Sequence, residues 1–206
     1  SESEDFRRRG WKLLQGEENL TMEEGAFEIS FGMQNEQIIP NVFKWAEPGD
    51  TERIQALANR KESLYRELIR AESIDPLPGV VTLLDELASA AVPTSVGSST
   101  PRANIDAVME VIGVTGKFRE IVAAGDVTNG KPNPEVFLTA ASRLGCTPGY
   151  SVVIEDAQVG IQAGKAGGFK VLAVATTHAA EELSAADICH PDLSSVTLNP
   201  LLDLVN

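Results

Sequence analysis

Two adjacent carboxylates, Glu155 and Asp156, follow directly after the apolar run Val152-Val153-Ile154. A short apolar run rich in β-branched residues is typical of a buried parallel strand. Open α/β sheets bind their ligands at the carboxyl ends of such strands. The two acids therefore suit a hard cation such as Mg²⁺, although Asp156 could equally cap a helix by accepting backbone N–H bonds. Taken alone, the pair favours the helix cap.

A second strand end carries hydroxyl groups. Ser98, Ser99 and Thr100 follow the strand-like run Ser95-Val96-Gly97 and precede a helical pattern. Backbone N–H groups at a helix N-terminus, together with hydroxyls, suit a phosphate oxygen. The alternative is an ordinary Ser/Thr-rich turn that caps its own helix.

A third segment, Gly130-Lys131-Pro132-Asn133-Pro134, places a lysine beside two prolines that fix the backbone direction. A lone Lys-Pro pair usually indicates a solvated surface lysine. Here the lysine follows one strand, the hydroxyls follow another and the two acids follow a third. This combination favours a phosphate and metal site over the cap at Glu155 and Asp156.

The elements that must position these residues alternate regularly after residue 75. The pattern predicts a parallel, doubly wound sheet, an α/β fold. The predicted helices are Val80–Ala90, Asn104–Ile112, Glu135–Leu144 and Val159–Ala166. The predicted strands are Pro93–Gly97, Glu120–Ala124, Ser151–Ile154, Lys170–Ala175 and Asp187–Cys189.

Residues 1–74 have a different character, with charged segments and no long β-branched run. An apolar stripe at helical spacing, which we interpret as a packing face, indicates a helix whose candidate N-cap is Asp50. The prolines around Ser73–Gly79 mark a boundary. We therefore predict a helical domain over residues 1–74 and an α/β core over residues 75–206.

The formal charge of −13 argues against nucleic acid and anionic membrane surfaces as partners. An anionic substrate would then need a local cationic group, such as a metal or a lysine. The two cysteines, Cys146 and Cys189, lack metal-ligand spacing, and no apolar run reaches the length of a membrane span. We expect a soluble intracellular protein, in the cytoplasm or in an organelle such as a plastid after import.

Other chemistries have little support. His178 and His190 stand in no nucleophile or zinc motif. The segment Gly160–Lys165 only faintly suggests a P-loop, and its glycines are better explained by close approach of a helix to the sheet. Asp126 ends a strand-like run and could approach the metal region, although capping is the favoured interpretation.

The three segments, in this order and spacing, resemble those of the haloacid dehalogenase-like hydrolase superfamily, in its β-phosphoglucomutase and CbbY-like subgroup. The resemblance implies a Rossmann-like core with an α-helical cap domain over residues 1–74. Phosphate binding then falls to Ser98, Ser99 and Thr100, catalysis and phosphate neutralisation to Lys131, and Mg²⁺ binding to Glu155 and Asp156. Asn35 stands where sugar-phosphate relatives often carry a substrate-binding arginine, and Pro101 stands where β-phosphoglucomutase has a lysine.

The chain departs from the family at the nucleophile. Family members carry an Asp-x-Asp motif after their first strand, and no Asp-x-Asp occurs in these 206 residues. Alignment of Trp11 with the cap's first helix places the motif about half a dozen residues before Ser1. We therefore expect the sheet to lack its central strand, which leaves exposed edges on the neighbouring strands.

The resemblance implies an Mg²⁺-dependent phosphatase or phosphomutase that acts on a small phosphorylated metabolite, such as a sugar phosphate, through an aspartyl-phosphate. We expect this protein to be a monomer or a weak homodimer, and we expect it to bind neither nucleic acid nor membranes. Without the nucleophile, the 206 residues should be a poor catalyst. The alternative is a non-catalytic protein of the same fold, retained for binding or as a scaffold.

Overall fold

Helices build the first 74 residues, and helices alternate with strands from residue 75 onward, in a computed structural model that describes residues 2–30 and 33–206. The chain divides into two compact units, Ser1–Ile74 and Asp75–Asn206. Phe31 and Gly32, which the resemblance assigns to a loop of the cap domain, lie outside the described residues. None of the described helices is long and apolar enough to cross a membrane.

In the first unit, two long helices pack along each other, and shorter turns complete the core. Trp11 packs edge-on against Phe43 and Trp45, with ring centroids 5.0 and 5.6 Å away. The predicted N-cap is confirmed, because Asp50 Oδ1 accepts a hydrogen bond from the Arg53 amide at 3.0 Å. The helices are α1 (Glu2–Glu17), α2 (Ala26–Ile29), α3 (Asn35–Gln37) and α4 (Thr51–Glu72), with a π-helical turn over Ile38–Val42.

In the second unit, each predicted helix and strand is present within two residues of its predicted bounds. The helices are α5 (Val80–Ser89), α6 (Arg102–Val111), α7 (Glu135–Leu144), α8 (Gln158–Ala166) and α9 (Leu198–Val205). The strands are β1 (Ser95–Gly97), β2 (Glu120–Val122), β3 (Val152–Glu155), β4 (Lys170–Val174) and β5 (Ile188–His190). Single 3₁₀ turns lie at Ala124–Asp126, Pro148–Tyr150 and Ala180–Leu183.

The strands form two separate parallel sheets, ordered β1-β2 and β3-β4-β5. Within the described residues, β1 pairs only with β2, and β3 pairs only with β4. The prediction that the whole Val152–Ile154 run is buried is wrong at Ile154, which is 38% exposed, whereas Val153 is buried. The physical reason is that, among the described residues, β3 has a strand neighbour on one side only, so no strand covers its other side.

Candidate active site

A largely buried ion pair joins two of the predicted site residues. The Lys131 ammonium contacts Glu155 Oε1, and the two side chains are 15% and 8% exposed. Lys131 lies in the loop after β2, and Glu155 is the last residue of β3. The carboxyl ends of these strands therefore lie at the same edge, as the sequence predicts for a parallel α/β fold.

Backbone donors hold the other oxygen of the Glu155 carboxylate. Glu155 Oε2 accepts hydrogen bonds from the amides of Asp156 and Ala157, at 3.1 and 3.3 Å. Charge-assisted bonds of this kind are stronger than neutral ones. With Lys131 on one oxygen and two amides on the other, the carboxylate has a single defined orientation.

Two glycines of α8 make this arrangement possible. A Cβ atom at Gly160 would overlap the Glu155 carboxylate, and one at Gly164 would lie 2.8 Å from Val171 Cγ2. The interpretation that these glycines permit close approach of the helix to the sheet is confirmed. Gly160 is thus a site residue whose role the sequence indicated only in general terms.

Asp156 is the carboxylate with an oxygen available to a cation. Its Oδ2 accepts a hydrogen bond from the Thr177 hydroxyl at 2.7 Å, and Oδ1 has no hydrogen-bond partner in the described part of the chain. Hard oxygen donors suit Mg²⁺, which proteins commonly bind through one or two carboxylates while it retains water or phosphate oxygens. The residues present therefore fit Mg²⁺ at Asp156, whereas the other predicted ligand, Glu155, has one oxygen engaged by Lys131 and the other by two backbone amides. Sequence reasoning missed Thr177, because it lies 21 residues later with no motif of its own.

The predicted phosphate-binding segment begins immediately after β1. Ser98 Oγ accepts a hydrogen bond from the Thr100 amide at 3.1 Å, and the Ser98 amide donates to the Val122 carbonyl at 2.9 Å. Ser98 and Thr100 are half-buried, while Ser99 is exposed. The turn geometry expected from the sequence is therefore present, and Ser98 and Thr100 are the more sheltered donors.

Phe137 on α7 connects the end of β1 with the lysine. Its ring centroid lies 4.7 Å from Lys131 Nζ, and a Cβ at Gly97 would lie 3.0 Å from its Cδ1 atom. The carboxyl end of β1 therefore lies at the same edge as Lys131 and Glu155.

Asp126 takes a structural position. Its carboxylate accepts hydrogen bonds from the Ala123 amide at 2.8 Å and from the Arg143 guanidinium at 2.9 Å. The backbone hydrogen bond, followed by the Arg143 contact, lowers the pKa of Asp126 below its usual value of 3.8. Both oxygens are engaged, which favours the capping role over metal binding.

Asn35 belongs to the other unit, where its amide donates to Glu62 Oε1 at 2.6 Å. Glu62 also contacts the buried Lys61 at 2.8 Å. Across the described residues, no group of three or more His, Cys, Asp or Glu side chains could hold a metal ion. Complete coordination of a cation at Asp156 would thus need oxygens from water, from a ligand or from a further segment.

Comparison with known proteins gives a consistent result. The family model described as haloacid dehalogenase-like hydrolase matches residues 12–174. The chain is 32% identical over 161 residues to the protein CbbY of Rhodobacter capsulatus, covering 76% of the chain and 70% of CbbY. It is 32% identical over 175 residues to the chloroplastic 5-amino-6-(5-phospho-D-ribitylamino)uracil phosphatase of Arabidopsis thaliana, covering 84% of the chain. The match spans only 46% of that phosphatase, so the chain corresponds to about half of this relative's length.

A solved structure shows the same fold. The chain superposes on β-phosphoglucomutase from Clostridium difficile with a TM-score of 0.80 at 23% identity. The superposition covers 99% of this chain and 91% of that protein. At this identity the likeness supports the architecture alone.

Proposed function

The chain belongs to the haloacid dehalogenase-like hydrolase family, and we propose that it is the larger part of an Mg²⁺-dependent phosphatase of the CbbY and β-phosphoglucomutase subgroup that acts on a small phosphorylated metabolite. The observation that carries the proposal is the buried Lys131–Glu155 pair at the strand ends, next to Asp156. Burying a charged pair is costly, and a structural role alone does not require one at the edge where α/β folds bind ligands.

Each polar group has a defined task in this proposal. Ser98, Thr100 and the backbone amides after β1 bind phosphoryl oxygens, and Lys131 offsets their charge. Glu155 fixes the position of Lys131, so the ammonium does not have to be ordered during the reaction. Preorganised charges of this kind stabilise the transferring phosphoryl group.

The charges of the candidate site residues favour a bound cation. Lys131, Glu155 and Asp156 together carry a net charge of −1. A phosphate monoester carries about −1.5 to −2 at pH 7, so the three side chains alone would repel it. Asp156 would hold Mg²⁺, which would supply the positive charge that offsets this repulsion and polarises phosphoryl oxygens.

The nucleophile in this proposal is an aspartate from a segment outside the 206 residues. It attacks phosphorus and forms an aspartyl-phosphate while a second acid protonates the leaving oxygen, and water then releases phosphate. The name of one relative, 5-amino-6-(5-phospho-D-ribitylamino)uracil phosphatase, supports a small phosphorylated metabolite, such as a sugar phosphate, as the substrate class. A phosphomutase would differ only in retaining a bisphosphate through the second transfer.

Calorimetric titration of Mg²⁺ tests the metal site. Asp156→Asn should weaken binding about tenfold or more, because it removes an anionic ligand, while the Asn oxygen can still accept the Thr177 bond. Asp126→Asn is the matched control, a carboxylate after another strand with both oxygens engaged, and should leave Mg²⁺ affinity unchanged. Equal affinity in wild type and Asp156→Asn would assign Asp156 to capping.

Kinetics of a protein extended through an Asp-x-Asp segment test the activity. Lys131→Ala should lower kcat/KM about 10- to 150-fold, from loss of a charge-assisted contact of about 1.5–3 kcal/mol. Lys165→Ala, which removes a surface partner of Asp187, should retain wild-type kinetics. Inactivity of the extended protein across a broad panel of phosphorylated metabolites would favour the binding or scaffold alternative.

A further inference from the structure

The loop that carries Lys131 is closed by the side chain of a single acidic residue. The loop spans residues 128–134 and leads into α7, whose first residue is Glu135. Glu135 Oε1 accepts a hydrogen bond from the Thr128 amide at 2.8 Å. Glu135 Oε2 accepts hydrogen bonds from the backbone amide of Asn129 at 2.9 Å and from its side-chain amide at 2.8 Å. The Glu135 carboxylate therefore joins the start of the loop to the helix that follows it.

The end of the loop has a separate connection to α7. Asn133 Oδ1 accepts a hydrogen bond from the Glu135 amide at 3.0 Å, so Asn133 caps the first turn of the helix. The Asn133 amide donates to the Gly130 carbonyl at 3.0 Å, which closes a turn around Lys131. The Glu135 carboxylate instead bonds to residues six and seven positions earlier, outside the helix. Capping of α7 and closure of the loop are therefore the work of two different side chains.

The far end of the Lys131 side chain is also held. Its ammonium contacts Glu155 Oε1 and lies 4.7 Å from the ring centroid of Phe137, in the first turn of α7. A lysine side chain has a flexible four-carbon stem, so contacts at the ammonium alone do not determine where its backbone lies. The loop determines the backbone position, and Glu135 joins that loop to the same helix that carries Phe137.

The negative charge of Glu135 strengthens its hold on the loop. Hydrogen bonds from Thr128 and then from Asn129 lower the pKa of Glu135 below its usual value of 4.5, so the carboxylate is ionised at neutral pH. Hydrogen bonds to an ionised acceptor are about twice as strong as neutral ones. Glutamine has nearly the same shape as glutamate, but its NH₂ group would replace one acceptor oxygen and face an N–H donor.

We infer that Glu135 is a positioning residue for Lys131: its carboxylate fixes the loop that carries the lysine, and this keeps the ammonium beside Glu155 at the strand edge. Glu135 needs no contact with a substrate for this role. The consequence for phosphoryl transfer rests on the proposed function above, because it requires Lys131 to act on a phosphate. The positioning itself does not depend on any reaction.

Chemical labelling of lysines tests the positioning in the 206-residue protein. Brief treatment with acetic anhydride, followed by mass spectrometry, gives the acetylation rate of each lysine. Glu135→Gln should raise the rate at Lys131 about tenfold, because the ammonium leaves its buried contact more often. The rate at Lys165, a surface partner of Asp187, should not change. Hydrogen exchange of the Thr128 amide should also be about tenfold faster in Glu135→Gln.

Two further variants separate positioning from a general loss of stability. Glu86→Gln alters another helical carboxylate that accepts a distant backbone amide, that of Leu198 at 3.2 Å, and should leave the acetylation rate of Lys131 unchanged. Asn129→Ala removes only the side-chain bond to Glu135 and should raise the Lys131 rate about two- to threefold. If Glu135→Gln fails to fold, Asn129→Ala carries the test.

The labelling experiment has clear contrary outcomes. An unchanged rate at Lys131 in the folded variants of Glu135 and Asn129 would overturn the inference. A rise of the same size in Glu86→Gln, or at Lys165, would also overturn it, because the change would then reflect a general loosening of the unit.

A double-mutant cycle in the protein extended through an Asp-x-Asp segment measures the consequence for turnover. Glu135→Gln should lower kcat/KM about tenfold, but it should have no further effect when Lys131 is already alanine. Equal losses in both backgrounds would contradict the inference. Faster acetylation of Lys131 in Glu135→Gln, together with no phosphatase activity in any extended protein, would support the positioning and contradict the proposed function.

Discussion

Gly160→Ala is expected to destabilise the second unit because the added methyl group would overlap the Glu155 carboxylate. Overpacking of a core costs about 1–3 kcal/mol. Displacement of Glu155 also breaks its pair with Lys131, and breaking a fully buried pair costs about 3–5 kcal/mol. Partial exposure of Lys131 reduces that second cost, and alanine regains about 0.5–1 kcal/mol over glycine in a helix. We expect a net loss of about 3 kcal/mol, or a lowering of Tm by about 6–12 °C.

A double-mutant cycle identifies the cause of the loss. In a Glu155→Ala background the overlap is absent, so Gly160→Ala should be neutral or stabilising by up to about 1 kcal/mol. Gly149→Ala, at a site with nothing within 4 Å of the added Cβ, should change stability by less than about 0.5 kcal/mol. The same loss in both backgrounds, measured by thermal and urea unfolding, would refute the overlap as the reason for this glycine.

Three further predictions concern other groups. Asp50→Ala should cost about 0.5–2 kcal/mol of stability in urea unfolding, since it removes the bond to the Arg53 amide, whereas Asp50→Asn should be nearly neutral. Burial lowers the pKa of Lys61 below its usual value of 10.5, so the unfolded chain binds the Lys61 proton more tightly than the folded chain does. The free energy of unfolding of wild type, relative to that of Lys61→Met, should therefore rise as the pH increases toward 10.5. The pKa of Asp126 is lowered in the folded state, so the ionised Asp126 carboxylate stabilises the fold above pH 3.8. This stabilisation is lost as the pH falls through the folded-state pKa. The difference in free energy of unfolding between wild type and Asp126→Asn should therefore disappear in strong acid.

Local signals predicted the elements well because their causes lie close together in sequence. The α7 helix has its predicted bounds, Glu135–Leu144, and Asp50 caps α4 through a residue three positions away. The proline-containing segment Ser73–Gly79 includes the point, between Ile74 and Asp75, at which the structure divides into two units. Periodicity and capping act over one or two turns, so a single sequence is sufficient to read them.

The candidate site residues can be singled out individually in the sequence, but their contact partners cannot. Lys131 and Glu155 were predicted to share a strand edge, yet no local pattern indicates that they form a direct pair. Thr177 bonds to Asp156 across 21 residues, and Phe137 contacts Lys131 although its residue type indicates only core packing. These contacts depend on where the loops bring the chain, which spacing within one motif does not determine.

The exposure of Ile154 shows why burial is harder to predict than strand identity. The run Val152–Ile154 carries the composition of a strand with neighbours on both sides, and that composition is a property of the sequence alone. Its burial is a property of whatever lies beside β3. The described residues leave one side of β3 and one side of β1 without a strand. The composition of β3 therefore identifies it as a strand, but the exposure of Ile154 depends on the absence of a second strand neighbour among the described residues, which the composition of β3 does not record.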